Sequence, residues 1–279
     1  MKRNIFNLVK KAYSLYIQGV SYISPTWASR IAFKLFKTPR GKVLTANQIE
    51  WLHKRKVGSI EVEGKKCFYY HIKGTGDSIL LAHGWESNAY RWRKYVERLS
   101  ALGYNIYLID APGHGLSEGK EFTPIAYAQA LNKLCLKYNF DVLIGHSVGG
   151  YATIYAIGEL PTPPSLKKAI LMAPTNKLRI MMGSFYDALS LNQKTINSYE
   201  MQFIKSYGHP YEYFHGDSML KNCTLPGLII HDKGDTILPY SYSYELQKSW
   251  KNSELIITEG FGHRLLGEDI YDIIIEYLK

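Results

Sequence analysis

Uninterrupted apolar runs, separated by helical patterns, are the feature that most constrains the fold of this chain. From residue 78 onward they read SILLAHG, NIYLID, DVLIGH, KAILMA, PGLIIHD and ELIITE, at 78–84, 105–110, 141–146, 168–173, 226–232 and 254–259. They do not alternate apolar with polar residues, which is typical of strands covered on both faces. Two shorter strands precede them at 59–62 and 66–72, and helical patterns follow at 90–102, 124–138, 149–159, 240–250 and 266–277. This order predicts an α/β fold with a mostly parallel central sheet and helices on both faces.

One interval is too long for an ordinary connection in such a fold. Roughly fifty residues, rich in Met, Tyr, Phe and Leu, separate the strand that ends at 173 from the strand that begins near 226. We predict a small helical lid inserted at about 175–224, over the carboxyl edge of the sheet where ligands bind in open α/β folds. A structural excursion that contacts no ligand is the alternative.

The positive charge of the chain is confined to its first part. Residues 1–56 hold twelve Lys or Arg and one acidic residue, Glu50, whereas the remaining 223 residues hold 22 basic and 23 acidic ones. We therefore predict a basic helical extension at 1–57 and a nearly neutral α/β domain at 58–279. A basic face on one segment suits an anionic membrane surface or an acidic partner better than nucleic acid. A solvated face that packs on the domain is the alternative.

Neither a targeting segment nor a membrane span is expected. Lys10 and Lys11 interrupt the apolar start MKRNIFNLV, and residues 12–33 contain Gln18, Pro25 and Arg30. Three widely spaced cysteines predict no disulfide framework and no cysteine-bound metal. The expected location is cytoplasmic, with peripheral contact at the inner membrane face through residues 1–56 as a further hypothesis.

A serine lies where one buried strand passes directly into a helix. Gly145-His146-Ser147-Val148-Gly149 follows the run DVLIGH and precedes the helical pattern 149–159. This is the context of a G-x-S-x-G nucleophile elbow, in which small residues two before and two after the serine let strand and helix pass closely. The context favours Ser147 as a nucleophile over a helix cap.

A serine hydroxyl attacks only if a base takes its proton and a third group orients that base. In proteins with such an elbow, the acid and then the histidine follow the serine along the chain. His263 lies in a glycine-rich loop beyond the last strand and is the predicted base. Asp232 ends the run 226–232 and Asp235 lies deeper in the loop that follows it; we prefer Asp235 and keep Asp232 as the alternative.

The oxyanion that forms during attack needs preorganised N–H donors. One predicted donor is the amide of Val148, at the start of a helix whose dipole favours negative charge. The other is the amide of Trp85, in the loop after LLAHG, and the Trp85 indole is a candidate wall of the acyl pocket. Glu86 beside it is a candidate for substrate contact. This chemistry requires neither a metal nor an organic cofactor.

Five motifs together resemble a serine hydrolase of the α/β-hydrolase fold superfamily, of the esterase or lipase type with a lid. They are HGW at 83–85, DAPGHGLS at 110–117, GHSVGG at 145–150, Asp235 and GH at 262–263. The resemblance covers about 59–279 and omits the lid and the extension. It implies that Asp110 and His114 are mainly structural. The serine argues against the branches with an aspartate nucleophile, and the lipase-type H-G-G-G loop is absent.

The expected function is hydrolysis of a carboxylic ester, or of a thioester, through an acyl-enzyme. Ser147 attacks, His263 transfers the proton, Asp235 orients His263, and the amides of Val148 and Trp85 hold the oxyanion. The expected partner is a small-molecule acyl substrate. The same three residues also suit peptide, lactone or C–C bond hydrolysis, and a binding protein without chemistry on the same fold is the remaining alternative.

Overall fold

The computed structural model describes residues 2–40 and 44–279, with side chains described from residue 11 onward. The strands are β1 Lys56–Val62, β2 Lys65–Ile72, β3 Ser78–Ala82, β4 Asn105–Ile109, β5 Val142–His146, β6 Lys168–Met172, β7 Gly227–Asp232 and β8 Ser253–Thr258. The helices are α1 Lys2–Ile23, α2 Pro25–Lys37, α3 Ala46–His53, α4 Arg93–Ala101, α5 Pro124–Lys137, α6 Val148–Gly158, α7 Leu178–Leu189, α8 Gln193–Tyr207, α9 Gly216–Met219, α10 Ser241–Ser249 and α11 Glu268–Leu278. Short 3-10 turns occur at Ala89–Trp92, Tyr211–Phe214 and Gly262–Arg264.

One eight-stranded sheet forms the centre of the fold, in the order β1-β2-β4-β3-β5-β6-β7-β8. β2 pairs antiparallel with both of its neighbours, and the pairs from β4 to β8 are parallel. Every residue of β5 and β7 is buried, which explains why their sequences do not alternate. The predicted α/β fold with a mostly parallel sheet and surrounding helices is confirmed.

Several element boundaries differ from the sequence prediction. The helix expected at 90–102 begins as a 3-10 turn, because the Asn88 side chain accepts from the Tyr90 N–H at 3.0 Å, and α4 starts only at Arg93. The last helix starts at Glu268 rather than 266, since Leu265 has a left-handed φ of 46°. β1 starts at Lys56 and pairs there with Tyr70, so the end of the predicted extension lies in the sheet.

The chain divides into two compact units. The first, here called the helical unit, joins Met1–Thr38 with Lys177–His215, and the second, the sheet unit, joins Pro39–Asn176 with Gly216–Lys279. This grouping differs from the boundary drawn at 57/58. In the sequence, α3 lies within the basic extension, yet in the structure it belongs to the sheet unit, where Leu52 is fully buried. Residues 1 and 41–43 of the predicted extension lie outside the described residues.

The helical unit is held together by small polar contacts between its two chain segments. The Ser14 hydroxyl donates to the Leu189 carbonyl at 2.7 Å, and the Asn192 amide donates to the Ser21 hydroxyl at 2.8 Å. The rings of Phe33 and Tyr199 pack edge to face, 5.1 Å apart. Because these contacts join residues more than 150 positions apart, the sequence prediction of a separate extension and insertion did not include them. No helix in the described part of the chain is both long and apolar enough to span a membrane.

Asp110 is a buried hub of the sheet unit. Its carboxylate accepts hydrogen bonds from the Ala89 and Leu116 N–H groups, at 2.7 and 2.9 Å, and from the Tyr70 hydroxyl. The side chain is fully buried, so each of these donors depends on it. Asp110 therefore fixes the loops after β3 and β4, which agrees with the structural role implied by the resemblance.

We expect Asp110→Ala to lower the free energy of unfolding by about 3–5 kcal/mol, because buried donors lose their charged acceptor. Urea denaturation measures this loss. The matched control is Asp77→Ala, which removes an exposed carboxylate that pairs with Lys167 at 3.3 Å. That change should cost less than about 1 kcal/mol. Equal losses in the two variants would contradict the role assigned to Asp110.

Candidate active site

Ser147 occupies a strained turn between β5 and α6. Its φ is 56° and its ψ is −120°, a backbone conformation that non-glycine residues rarely adopt. A Cβ atom at Gly145 would lie 2.5 Å from the Gly149 carbonyl oxygen, and one at Gly149 would lie 2.4 Å from the His83 carbonyl oxygen. Both positions therefore require glycine, and strand, turn and helix pass as closely as the G-x-S-x-G pattern predicts.

Ser147, His263 and Asp235 form one continuous hydrogen-bonded chain. The Ser147 Oγ lies 3.0 Å from His263 Nε2, and His263 Nδ1 lies 2.7 Å from Asp235 Oδ2. Because a carboxylate only accepts, the proton of the neutral imidazole is on Nδ1, and Nε2 offers its lone pair to the serine hydroxyl. The structure thus brings together the three side chains that were chosen from separate parts of the sequence.

The Asp235 carboxylate is buried and strongly hydrogen-bonded. Its Oδ1 accepts from the N–H groups of Ile237 and Leu238, at 2.8 and 2.9 Å. Burial by itself would raise the pKa of Asp235, but the hydrogen bonds from His231, His263 and these two amides outweigh it and lower the pKa below its usual value. Asp235 is therefore ionised at neutral pH and can hold the imidazole of His263 in one orientation.

His231 is a further member of this chain that the sequence analysis missed. Its Nε2 faces two acceptors, Asp235 Oδ2 at 3.0 Å and the Leu238 carbonyl at 3.1 Å, so this nitrogen carries a proton. Its Nδ1 lies 2.7 Å from the Ser243 hydroxyl. His231 lies within the otherwise apolar start of the run GLIIHD, beside Asp232 and four positions before Asp235, and a polar side chain in a buried strand was the available signal.

Asp232, the alternative acid, serves the neighbouring loops instead. Its carboxylate accepts from the Gly234 N–H at 2.9 Å, the Thr258 hydroxyl at 2.9 Å and the Phe261 N–H at 3.0 Å. Burial works against the charged form, yet these donors lower the pKa of Asp232. Asp232 thereby ties the loop that carries His263 to the end of β7, while Asp235 makes the contact with His263.

The loop after β3 lies directly against the serine. A Cβ atom at Gly84 would be 3.0 Å from the Ser147 Cβ. His83 fixes this loop, since its Nδ1 donates to the Gly84 carbonyl at 2.7 Å and its Nε2 accepts from the Ala111 N–H at 3.1 Å. Within residues 44–279, the N–H groups of Trp85 and Val148 donate to no protein acceptor.

His146, next to the serine, supports the loop that carries His263. Its Nε2 donates to the His263 carbonyl at 2.8 Å, and among the described residues its buried Nδ1 has no hydrogen-bond partner. Burial lowers the pKa of His146 and of His83 well below the usual histidine value. Both imidazoles are therefore neutral in the folded protein at physiological pH.

The side chains around Trp85 differ in part from expectation. The Glu86 carboxylate binds Arg40, accepting from its backbone N–H and its side-chain Nε at 2.8 Å each. The Glu86 N–H donates to His114 Nε2 at 3.1 Å, so His114 shapes this loop as the resemblance implied. The Trp85 indole packs edge to face on Phe122, 5.1 Å between ring centroids. The structure therefore accounts for Glu86 through Arg40.

The residues around Ser147 are suited to proton transfer. A hydroxyl, an imidazole and a carboxylate in sequence can move one proton as the oxygen attacks an electrophilic carbon. Within the described part of the chain, no group of three or more His, Cys, Asp or Glu side chains could hold a metal ion.

Comparison with known proteins agrees with this architecture. A family model described as "Serine aminopeptidase, S33" (Hydrolase_4) matches residues 75–206, a span that contains Ser147 and ends before Asp235 and His263. A solved structure, "Ferulic Acid bound to Est1E from Butyrivibrio proteoclasticus", aligns with a TM-score of 0.63, covering 80% of this chain and 99% of that one. Its sequence identity is 20%, so this likeness concerns the fold.

Relatives found by sequence extend the similarity to hydrolases. An uncharacterized hydrolase, YugF, of Bacillus subtilis is 27% identical and covers 78% of this chain and 94% of its own length. The chain is a hydrolase with the α/β-hydrolase fold, and its sequence is similar to hydrolases of that superfamily. The superfamily resemblance, the fold class and the expectation of an enzyme are therefore confirmed. The roles of Ser147, His263 and Asp235 in the hydrolase remain predictions.

Two other relatives carry names that specify a reaction. A 2-hydroxy-6-oxononadienedioate/2-hydroxy-6-oxononatrienedioate hydrolase of Cupriavidus pinatubonensis is 25% identical and covers 72% of this hydrolase and 86% of its own length. A pimeloyl-[acyl-carrier protein] methyl ester esterase of Xanthomonas campestris is 31% identical over 40% of this hydrolase and 42% of its own length.

The buried neutral histidines predict a pH-dependent stability of the hydrolase. Their pKa values are lowered in the fold, so below about pH 6.5 the unfolded chain binds protons that the folded chain does not. Stability is therefore complete above that pH and falls as the pH drops, by up to about 1.4 kcal/mol per pH unit for each histidine. The lowered carboxyl pKa values of Asp232 and Asp235 act only at more acidic pH.

Urea denaturation between about pH 8 and pH 5 measures this slope. His146→Gln and His83→Gln should each reduce the slope by about 1.4 kcal/mol per pH unit at most, because glutamine does not titrate. Above about pH 7.5 the wild-type stability should be independent of pH as far as these histidines contribute. A slope that both variants leave unchanged would contradict the assignment of neutral histidines.

Proposed function

We propose that this protein is a serine hydrolase that cleaves a carboxylic ester, or a thioester, through an acyl-enzyme. The observation that carries the proposal is the continuous contact from Ser147 through His263 to Asp235, with separations of 3.0 and 2.7 Å. The strained backbone at Ser147 supports it, because strain of this kind concentrates at functional sites. The Asp235 carboxylate, held ionised by its donors, supports the same assignment of roles.

In the acylation step, Ser147 Oγ attacks the carbonyl carbon of the ester while His263 Nε2 takes the hydroxyl proton. The tetrahedral intermediate collapses, the bond to the leaving alcohol breaks, and that alcohol receives the proton from His263. In deacylation, His263 takes a proton from water as the water oxygen attacks the acyl carbon. The bond to Ser147 then breaks, the proton returns to Ser147, and the carboxylic acid leaves.

The amides of Val148 and Trp85 are the proposed oxyanion donors. Both lack a protein acceptor within residues 44–279, and the Gly84 contact with Ser147 supports a position of the Trp85 amide near the attacked carbonyl. Val148 is the first residue of α6, where the helix dipole favours a negative charge. Preorganised donors of this kind contribute about 3 kcal/mol each to transition-state stabilisation.

Asp235 acts by orientation and charge, and stays ionised through the cycle. It fixes the tautomer of His263 that presents a lone pair to Ser147, and it stabilises the imidazolium that forms. His231 donates to the same carboxylate oxygen and is in turn bonded to Ser243, so it holds Asp235 in place. His231 is therefore a positioning residue in this proposal.

Hydrolysis of a C–C bond is the second candidate, favoured by the relative from Cupriavidus pinatubonensis, whose name specifies a hydrolase of an oxononadienedioate. The methyl ester esterase from Xanthomonas campestris favours the ester reading. Both reactions use a nucleophile or activated water and an oxyanion site, so the acyl pocket separates them. Peptides and lactones are further substrates that the same chain of residues could process.

A substrate panel distinguishes the ester proposal from its alternatives. We expect turnover of p-nitrophenyl esters with a preference for one acyl length, and less or none of a vinylogous diketone, an aminoacyl amide or a lactone. Acyl-CoA substrates test the thioester option. Exclusive turnover of the diketone would replace the ester proposal by C–C hydrolysis.

Covalent labelling tests the nucleophile directly. A fluorophosphonate probe should form a bond to Ser147 Oγ, detected by intact mass and peptide mapping, and Ser147→Ala should abolish it. Labelling that persists in Ser147→Ala would contradict the assignment of the nucleophile. Failure to label a folded wild-type protein would support the binding-protein alternative.

The two neighbouring aspartates provide a matched test of the acid. Asp235→Asn should lower kcat by about 10⁴-fold, because the amide no longer fixes the required tautomer of His263. His263→Ala should cost at least as much. Asp232→Asn should reduce kcat far less, since Asp232 bonds to the loops and not to His263. Equal losses in Asp232→Asn and Asp235→Asn, in proteins of equal stability, would contradict the chosen acid.

The proposal also includes contact with an anionic membrane surface through the basic residues of 1–56, a cytoplasmic location, and a lid role for the inserted residues at about 175–224. The charge distribution supports the membrane contact, and the apolar composition of the insertion supports the lid. Co-sedimentation with anionic liposomes at low and high salt tests the membrane contact.

A further inference from the structure

The first two helices expose the residues that a water-soluble helix normally buries. Leu15 and Tyr16 on α1 are 59% and 56% exposed, and Tyr22 and Ile23 at its end are 88% and 84% exposed. Trp27, in the first turn of α2, is 59% exposed. These five side chains, Leu15, Tyr16, Tyr22, Ile23 and Trp27, are called the α1–α2 apolar face below.

The opposite side of the same helices packs within the helical unit through both small polar and apolar residues. Ser14 and Ser21 of α1 are buried, and their hydroxyls bond to Leu189 and Asn192 of the helical unit. Ser29 of α2 is buried and lies 3.0 Å from the Ser198 hydroxyl. Ile17, Ala28, Ala32 and Phe33 are buried on that side as well, so the two helices carry apolar residues on their outward side in addition to an apolar inward side. Because a helix that faces water has polar residues outward, this second apolar side indicates that water is not the environment of the α1–α2 apolar face.

The charges of the helical unit indicate what covers this face. Residues 1–38 contain seven Lys or Arg and no Asp or Glu, whereas residues 177–215 contain four basic and three acidic residues. Lys11, Arg30 and Lys34 are exposed on the same two helices as the apolar face. Exposed aliphatic and aromatic residues with adjacent Lys and Arg are typical of segments that lie in the interface of an anionic bilayer.

Most of the aromatic residues that the sequence suggested for membrane contact are not exposed in the structure. The aromatic residues that the sequence suggested beside the basic charges were Trp27, Phe33, Phe36 and Trp51. Phe33 is buried, where it packs on Tyr199, and Phe36 and Trp51 are half-buried, packing on Phe185 and Tyr90. Trp27 is the member of that set that remains exposed, and the other residues of the face are on α1.

We propose that the α1–α2 apolar face inserts into the headgroup and upper acyl region of an anionic lipid bilayer, with Lys11, Arg30 and Lys34 contacting lipid phosphates. Tyr22, Ile23 and Trp27 surround the turn between the two helices and form its most exposed part. The inference rests on the proposed membrane contact and is independent of the proposed hydrolysis. It assigns that contact to one face of α1 and α2 and excludes α3, which belongs to the sheet unit.

Vesicle flotation of the full-length protein tests the assignment. The probes are vesicles of phosphatidylcholine alone and of phosphatidylcholine mixed with phosphatidylglycerol, at about 0.1 M and about 0.5 M salt. We expect binding to the anionic vesicles that weakens at the higher salt. The triple variant Tyr22→Ser, Ile23→Ser, Trp27→Ser should bind at least about tenfold more weakly at either salt concentration, because interfacial binding scales with buried apolar area.

Two control variants distinguish a loss of the α1–α2 apolar face from a general loss of exposed apolar residues or of positive charge. Val57, Leu102 and Leu136 of the sheet unit are 53%, 55% and 62% exposed, and the triple change of these residues to serine should leave binding unchanged. Lys11→Gln, Arg30→Gln, Lys34→Gln should weaken binding mainly at low salt. All the residues changed in these proteins are exposed, so circular dichroism and melting temperature should match the wild type.

The outcomes are distinguishable. Absence of wild-type binding to anionic vesicles would overturn the membrane contact together with this inference. Wild-type binding that survives Tyr22→Ser, Ile23→Ser, Trp27→Ser would overturn the inference alone. A wild-type dimer in solution that the same variant converts to a monomer would assign the face to a second copy of the chain and would also overturn it. Ser147→Ala should bind vesicles as the wild type does, whatever the result for hydrolysis.

Discussion

The close passage of β5 and α6 beneath the loop after β3 is the constraint on which the site depends. Gly145 and Gly149 allow it, because a side chain at either position would occupy the space of a neighbouring main chain. The result is a left-handed backbone at Ser147, which presents the hydroxyl outward at the carboxyl edge of the sheet. Within residues 44–279 the amides of Val148 and Trp85 donate to no protein acceptor, and both positions follow from the same passage, since one begins the helix and the other continues the loop that touches the serine.

The loops after β7 and β8 complete the arrangement through two aspartates with separate tasks. Asp232 collects donors from both loops and so fixes their relative position, while Asp235 collects donors from its own loop, from His231 and from His263. A carboxylate offers only about four acceptor positions, whereas the two acids together accept from seven donors, so one residue could not satisfy the loops and still present an oxygen to His263. Two acids three residues apart resolve this conflict, and His146 adds support by bonding to the His263 carbonyl.

Sequence reasoning worked where the signal was local. The apolar runs correspond to strands buried on both faces, and the G-x-S-x-G turn has its strand and helix within a few residues. The fold and the candidate serine could therefore be predicted from the sequence. The order of serine, acid and histidine led to Asp235 and His263, which the structure places in contact. Asp232 remained open because both acids follow the same strand, and only the loop geometry separates them.

The missed features depend on contacts that no short pattern encodes. In the sequence, His231 is one residue of a buried strand. Its hydrogen bond to Asp235 forms only because the loop after β7 turns back within four residues. From the sequence, Glu86 was a candidate for substrate contact, whereas its carboxylate binds Arg40, which lies 46 positions earlier in the chain. The pairing of α1 and α2 with the inserted helices uses serine and asparagine contacts across more than 150 residues, which carry no periodic signal.

Because of that pairing, α1 and α2 are part of the core of the helical unit and not a separate extension. Ala28, Ala32 and Phe33 are buried within the helical unit, and Tyr199 and Phe203 of the insertion are buried in it as well. The inserted helices therefore share one hydrophobic core with residues that lie more than 150 positions earlier in the chain. A shortened enzyme that starts after residue 38 would lose part of this core, and the aromatic rings of the insertion that pack on α2 would be open to solvent.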